Sequence, residues 1–251
     1  MLLNNLASYF MQQAQQVKEF VSKVIEIVDE TPTVKSFKIE LLDAYLNLYP
    51  GQFFMVSFPN DSEIKTARAY SIASSPMEKK YLEIALNKIG PFTTKMFQLK
   101  PGDLLKFKGP YGKFYFNEYI KNDLVLIAGG TGITPLIGIM RYCADKKLSN
   151  KIKFIYSVRT PDEIIYKNEL EKIKQANSNF DYVVTVTRAD DDPGWKGEKG
   201  RIDLILLEEN IENASENMYF LCGSREFVND IMGLLESMGV KSEQIRTDVW
   251  G

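Results

Sequence analysis

The hydrophobic rhythm of this chain changes partway along, and that change limits the folds open to it. From about residue 22, apolar and polar side chains alternate: Val24, Ile25 and Ile27, then Val34, Phe37 and Ile39, then Phe53 and Met55 with Ser57. A period of two marks short strands with one buried face. Further strand-like runs cover residues 68–73, 81–88 and 103–108, and turn signals separate them: Thr31-Pro32, Pro50-Gly51, Asn60-Asp61, Gly90-Pro91, Pro101-Gly102 and Gly109-Pro110. Six strands with one brief helix over 93–98 predict a small antiparallel β-barrel. Past residue 122, strands alternate with helices instead. Strands are predicted over 124–128, 152–158, 182–187, 218–222 and 244–249, with helices over 133–146, 162–175, 203–208 and 225–238. That order predicts an α/β domain built on a parallel five-stranded sheet covered on both faces.

The expected organisation is an N-terminal helical extension over 1–21, a barrel over 22–118 and an α/β domain over 119–251. The extension is read from Leu2, Leu3, Leu6, Phe10, Ala14, Val17 and Val21, which recur at near-helical spacing. We read it as a helix that packs on its own domain or frays, as termini commonly do, over one that binds a partner or a membrane surface; the polar face is short of the Lys and Arg that would suit a membrane.

Composition narrows the chemistry. The chain of 251 residues has no histidine, which removes imidazole bases, imidazole metal ligands and every His-dependent triad. Its two cysteines, Cys143 and Cys222, are too few for a Cys₄ zinc site or an all-cysteine iron–sulfur cluster, so no metal site is expected. A net charge of −2 argues against a nucleic-acid partner. No apolar run approaches the roughly 18 residues of a membrane span, and no basic start with a continuous apolar core marks a secretion signal, so a cytoplasmic protein is expected. Hard chemistry in such a chain falls to a bound organic cofactor.

Four local patterns could hold one. In Arg68-Ala69-Tyr70-Ser71, a tyrosine could lie on a flat ring while the arginine two places earlier meets phosphate oxygens, although alternation on a strand needs no ligand. Gly90-Pro91-Phe92-Thr93-Thr94 opens the barrel's helix with N–H groups and hydroxyls suited to an anion, or with a simple cap. The 124–128 strand runs into Gly129-Gly130-Thr131-Gly132, which is not the usual G-x-G-x-x-G fingerprint but either lets backbone approach a pyrophosphate at a helix start or is simply a tight strand-to-helix turn. Cys222-Gly223 and Thr187-Arg188 end strands at the sheet edge where open α/β folds bind ligands, with Arg201 nearby; the cysteine could equally be inert and the arginines solvated.

Taken in order, R-x-Y-S-x-x-S, a glycine–threonine helix start, G-P-x-G-x-F at 109–114, G-G-T-G-I-T-P, C-G and an aromatic near the terminus resemble the ferredoxin–NADP⁺ reductase superfamily over about residues 22–251. The resemblance implies a flavoprotein with FAD in the barrel and NADPH, with NADH possible, on the sheet. Arg68 and Ala69 would lie along the FAD pyrophosphate, Tyr70 would stack on the isoalloxazine, and Ser71 would bond near its reactive nitrogen. Gly90, Thr93 and Thr94 would hold flavin phosphate. Gly130, Thr131 and Gly132 would hold the nicotinamide nucleotide's pyrophosphate, with Cys222 and Gly223 beside the nicotinamide. Asp248 and Trp250 depart from the acid and aromatic that relatives often carry, and Trp250 would cover the ring. Thr187, Arg188 and Arg201 would favour a ribose 2′-phosphate, hence NADPH, against the acidic Asp190–Asp192. The implied activity carries a hydride from NAD(P)H to FAD and single electrons on to a separate protein such as ferredoxin, flavodoxin or an oxygenase component. A flavin-binding but non-catalytic subunit of a larger redox complex is the other class.

Overall fold

The computed structural model describes residues 16–41, 46–59, 61–189 and 194–250. Strands β1 (Lys18–Asp29), β2 (Val34–Glu40), β3 (Phe53–Ser57), β4 (Arg68–Ser71), β5 (Tyr81–Asn87) and β6 (Leu104–Tyr111) form an antiparallel sheet in the order β4-β3-β6-β1-β2-β5. A single bridge between Ile72 and Ile84 draws β4 and β5 together, so the barrel is nearly closed. β1 serves two neighbours because its register slips between Val24 and Glu26. Its first half pairs with β6 and its second with β2, as a bulge allows. Helix α1 (Pro91–Met96) plugs one end, burying Phe92 and Met96 against a core that includes Phe54, Ile84 and Phe107.

The helical extension is corrected where it can be seen. Residues 1–15 lie outside the described residues, but Lys18–Val21 are strand, not helix, and pair with Gly109, Lys108, Phe107 and Lys106. The ladder wins because it also places the Phe20 ring 5.4 Å from Phe107, stacked, and 6.0 Å from Phe54, edge-on. Val17 and Val21, which suggest a helix face in sequence, stand on the outer face at 44% and 43% exposure.

The second domain is built from β7 (Leu124–Gly129), α2 (Ile133–Asp145), β8 (Ile152–Val158), α3 (Lys167–Ala176), β9 (Phe180–Val186), β10 (Glu198–Lys199), α4 (Leu204–Asn210), β11 (Met218–Ser224), α5 (Arg225–Ser237) and β12 (Ile245–Trp250). The sheet is parallel, in the order β10-β9-β8-β7-β11-β12. It has six strands rather than five. The added β10 is two charged residues long and pairs Glu198 with Thr185, too short and too polar to show a period. The helix expected over 162–175 is broken. A 3₁₀ turn at Pro161–Glu163 is followed by Ile164, Ile165 and Tyr166, three consecutive buried residues that one helix face cannot bury together. Central β7 reads as continuous apolar sequence because both its faces are covered. Leu126 and Ala128 face the core that holds Met140 and Phe154, while Val125 and Ile127 face the core that holds Leu207 and Ile231.

The chain leaves β7 for β8 on one side and β11 lies on the other, so the order reverses between β7 and β11, where such sheets open a crevice. A 3₁₀ turn at Gly130–Gly132 links β7 to α2 at that point. A Cβ on Gly132 would lie 2.1 Å from the Cys222 carbonyl oxygen, so glycine is needed for the turn to rest against the end of β11. Gly132→Ala is therefore expected to cost about 1–3 kcal/mol, with Tm falling about 2–4 °C per kcal/mol. Gly233→Ala, on the exposed side of α5 with nothing within 4 Å, should gain about 0.5–1 kcal/mol in the same thermal melts.

Candidate functional site

A cleft of about 970 Å³ opens between the barrel and the C-terminal edge of the parallel sheet, within the size that holds a large organic ligand. One wall is β4. Because Arg68–Ser71 pairs with Val56–Phe53 on one side only, its other side is left to the cleft, and Arg68, Ala69, Tyr70 and Ser71 all line it. Tyr70 is half-buried, its ring 6.0 Å from Phe92, and burial pushes its hydroxyl up to about 12, with Arg68 pulling the other way. The phenol stays neutral, a flat apolar face with a polar tip. Arg68 lies exposed at the edge, one guanidinium nitrogen 3.3 Å from the Ala67 carbonyl.

The opposite wall is made by the sheet. Cys222 and Asp248 are register partners on β11 and β12, and Ser224 and Trp250 are the pair two residues on. All four line the cleft. Ser71 Oγ of the barrel lies 3.5 Å from Asp248 Oδ2, and Cys222 Sγ lies 3.9 Å from the same oxygen, so groups distant in sequence meet across the domain junction. Burial raises the Asp248 carboxyl above the ordinary aspartate value, while the hydrogen bonds from Ser71 and Cys222 lower it. Burial, followed by the nearby Asp248, raises the Cys222 thiol well above its usual range. Cys222 is thus a neutral thiol, a weak donor rather than a nucleophile. Trp250 is 42% exposed at the rim.

The glycine turn completes the site. Gly130 has φ of +53°, and a Cβ there would meet nothing within 4 Å, so its requirement is conformational and its face opens on the cleft. The Tyr156 hydroxyl donates to the Gly130 carbonyl at 2.9 Å and Thr134 Oγ1 to the Thr131 carbonyl at 2.8 Å, which fixes the turn. Gly130 and Thr131 line the cleft; Gly132 is buried behind them. Gly223 is likewise off the wall, where a Cβ would come within 2.5 Å of Phe227.

Other expected residues separate. Thr93 lines the cleft, but its hydroxyl oxygen already accepts the N–H groups of Ile89 and Gly90, at 2.8 and 2.9 Å. Gly90 and Thr93 therefore cap α1, and Gly90 and Thr94 are not on the cleft wall. Thr187 and Arg201 reach the cleft while Arg188 stays outside it; Asp190–Asp192 lie outside the described residues. Arg201 stands 3.6 Å from Glu226 and 3.9 Å from Asp230. Several lining residues stand outside the expected set, Phe53 and Arg159 among them. Phe53 pairs with Ser71 and carries its ring 5.8 Å from Tyr111, but its alternation marks it only as core. Arg159, just past β8, lines the cleft with its guanidinium held by Glu163 at 2.6 and 3.0 Å. Its position one residue beyond a strand at the same edge was the available signal.

The comparisons agree with this architecture. Residues 21–116 match the oxidoreductase FAD-binding domain and residues 126–232 the oxidoreductase NAD-binding domain. The chain is 33% identical over 231 residues to sulfhydrogenase 1 subunit gamma of Pyrococcus furiosus, covering 89% of this chain and 76% of that one. It is 31% identical over 199 residues to a Na(+)-translocating NADH-quinone reductase component of Actinobacillus pleuropneumoniae, covering 73% of this chain but only 48% of that protein. Among solved structures, the ferredoxin reductase in carbazole 1,9a-dioxygenase superposes with a TM-score of 0.83 at 25% identity, covering 95% of this chain and 71% of the other. A barrel joined to a parallel sheet, with a cleft along the seam, is the two-domain arrangement of flavin- and nucleotide-binding oxidoreductases. The chain belongs to the ferredoxin–NADP⁺ reductase superfamily, with an FAD-binding barrel and an NAD-binding α/β domain. Among the described residues, no helix is long and apolar enough to cross a membrane.

The raised Asp248 has a consequence for stability. A carboxyl whose folded-state pKa exceeds its unfolded one favours folding while protonated. That contribution is complete below the ordinary aspartate pKa of about 4 and is lost as pH rises through the folded-state value. Asp248→Asn stays neutral throughout. It should melt higher than the unmodified protein near neutral pH, with the gap closing as pH falls to about 4. Thermal melts across that range check the sign.

Proposed function

We propose that this protein is a reductase that takes a hydride from NADPH or NADH and delivers single electrons to a separate carrier protein, ferredoxin or flavodoxin being the first candidates. The observation that carries the reading is the meeting of Ser71 with Asp248 and Cys222 across the seam, beside a tyrosine on one wall and a glycine turn on the other. FAD, when bound, supplies the conversion between two-electron and one-electron chemistry, which no side chain of this protein can perform. The chain's own residues bind and orient. Tyr70 offers a neutral ring face for stacking and Arg68 a guanidinium for phosphate oxygens. Gly130 and Thr131 bring backbone to the nucleotide's pyrophosphate, with the start of α2 favouring its negative charge. Ser71 Oγ can donate to a ring nitrogen, and Asp248, its carboxyl raised by burial, can hold a proton one hydrogen bond behind it. Trp250 at the rim can cover the ring until a nicotinamide replaces it.

Anaerobic mixing tests the reading directly. The purified protein should be yellow, and NADPH or NADH should bleach it, followed by catalytic reduction of added ferredoxin or flavodoxin. A colourless protein that takes up no FAD would refute it. Replacing Arg68 and Tyr70 together with alanine should lower flavin content per chain, read by absorbance after gel filtration. Unchanged content would misplace the flavin wall.

For the nucleotide we favour NADPH, because Arg201 and Arg159 both line the cleft near Thr187 and guanidiniums suit a phosphate dianion. Glu226 and Asp230 beside Arg201 pull the other way. Changing Arg159 and Arg201 to alanine should raise the KM for NADPH about tenfold or more and leave that for NADH within about twofold, the loss of one to two charge-assisted hydrogen bonds. Equal effects on both would remove the preference.

A second reading has its own support. The sulfhydrogenase gamma subunit is by name part of a larger enzyme, and this chain spans 76% of it. On that reading the protein passes electrons to a permanently bound partner protein. Bleaching by NAD(P)H with no turnover toward any free carrier would favour it.

A further inference from the structure

One guanidinium, at the junction of the two domains, is withdrawn from solvent. Arg141 lies on α2, its side chain 18% exposed. Its Nε and Nη2 donate to the two carboxylate oxygens of Glu169 on α3, each at 2.6 Å. Its Nη1 donates to the Ala73 carbonyl at 2.8 Å and stands 3.2 Å from the Glu83 carboxylate on β5, whose side chain is 3% exposed. The Tyr166 ring centroid is 5.0 Å from its Cζ, and Tyr166 holds a left-handed φ of 56° at the start of α3, a conformation that costs a tyrosine energy. Ala73 and Glu83 belong to the barrel; Arg141, Tyr166 and Glu169 belong to the sheet domain. Every bond crossing from Arg141 to the barrel therefore spans the seam.

The place where it grips is specific. Ala73 follows Ser71 by two residues and is itself held to β5, its N–H donating to the Glu83 carbonyl at 2.8 Å. Three residues before Arg141, α2 presents Gly138, where a Cβ would come within 2.7 Å of the Ile72 carbonyl. The helix that begins at the glycine turn is thus seated, backbone on backbone, on the continuation of the strand that bears Tyr70 and Ser71. A buried ion pair is weak evidence for stability, since apolar replacements of similar volume are often neutral or better. Its five donors in a fixed fork do provide geometry.

We infer that Arg141 is a positioning residue: by binding the Ala73 carbonyl and the Glu83 carboxylate across the seam, it fixes the distance between the flavin wall and the nicotinamide wall of the cleft. The inference rests on the reading of the cleft as a site for flavin and NAD(P)H. A misplacement of about 1 Å can slow a positioned reaction about 100-fold while leaving each partner's own binding surface intact.

The test uses FAD-loaded Arg141→Met, Arg141→Lys and Gly138→Ala. Gly138→Ala forces α2 off Ile72 without touching any charge. Expected are a limiting rate of flavin reduction lowered about tenfold or more, flavin content unchanged and NAD(P)H affinity within about threefold. The long-wavelength absorbance that appears when oxidised nicotinamide stacks on reduced flavin should weaken in parallel, and hydrogen exchange should quicken at the amides of residues 72–75. Arg141→Lys keeps the charge but lacks the fork, so it should recover at most part of the rate. Wild-type rate and wild-type absorbance in folded, loaded variants would overturn the inference. So would flavin loss with a normal rate per bound flavin, which marks a purely structural role. If Arg141→Met does not fold, the other two variants decide it by the same measures. Failure of either nucleotide to bleach the unmodified protein would sink the reading of the cleft itself, which is a different result from variants that match a bleachable parent.

Discussion

Backbone runs against backbone at two points beside the cleft, one inside the sheet domain and one across the seam to the barrel. Gly132 lets the turn after β7 rest on the Cys222 carbonyl, and Gly138 lets α2 rest on the Ile72 carbonyl. Neither contact leaves room for a methyl group. Close-packed interiors transmit small displacements instead of absorbing them, so the positions of Tyr70, Ser71, Cys222 and Asp248 relative to one another follow from these two seats. The Arg141 fork adds direction to the second of them, because a planar guanidinium that meets carboxylates of both domains tolerates little rotation.

The same seam accounts for the electrostatic character of the site. Asp248 is drawn into partial burial by the pairing of β12 with β11, and the side-chain hydrogen bonds it accepts among the described residues are long ones from a hydroxyl and a thiol. With no cation against it, the carboxyl is raised by desolvation alone. Arg141 is the reverse case. Burial works against its charge, but two carboxylates outweigh the burial. The Arg141 charge is thus met by carboxylates of both domains, whereas the Asp248 carboxyl beside the cleft accepts, among the described residues, only from a hydroxyl and a thiol.

Much of this was legible in the residues, and the parts that were not share a cause. The change of period near residue 120 located two architectures, and the glycine turn, the R-x-Y-S strand and the C-G strand end located the two walls. Each of those patterns is local. What escaped was set by partners outside each pattern, some far away in the chain and some within a turn. The strand at Lys18–Val21 exists because β6 offers it a ladder, and β10 exists because β9 does. Thr93 has the sequence context of a phosphate ligand, but the fold supplies competing N–H groups for its hydroxyl. Gly132 and Gly223 fit the pattern of ligand glycines, yet their small size serves packing against Cys222 and Phe227. Glu83, Arg141 and Glu169 give no sign at all, since three charges scattered over almost ninety positions carry no period and no motif.

Trp250 closes a strand, with its backbone laid beside Ser224 in the β11 ladder. If it covers a flavin ring as proposed, an indole mounted in this way can leave that ring by turning about two side-chain bonds, with no loop to unfold and no hinge to bend. Such turning in an exposed side chain takes picoseconds to nanoseconds, whereas lids built from loops and domains open in microseconds or longer. Access for a hydride donor would then be decided by competition between two flat rings for one face, and the waiting time before chemistry would carry almost no mechanical component.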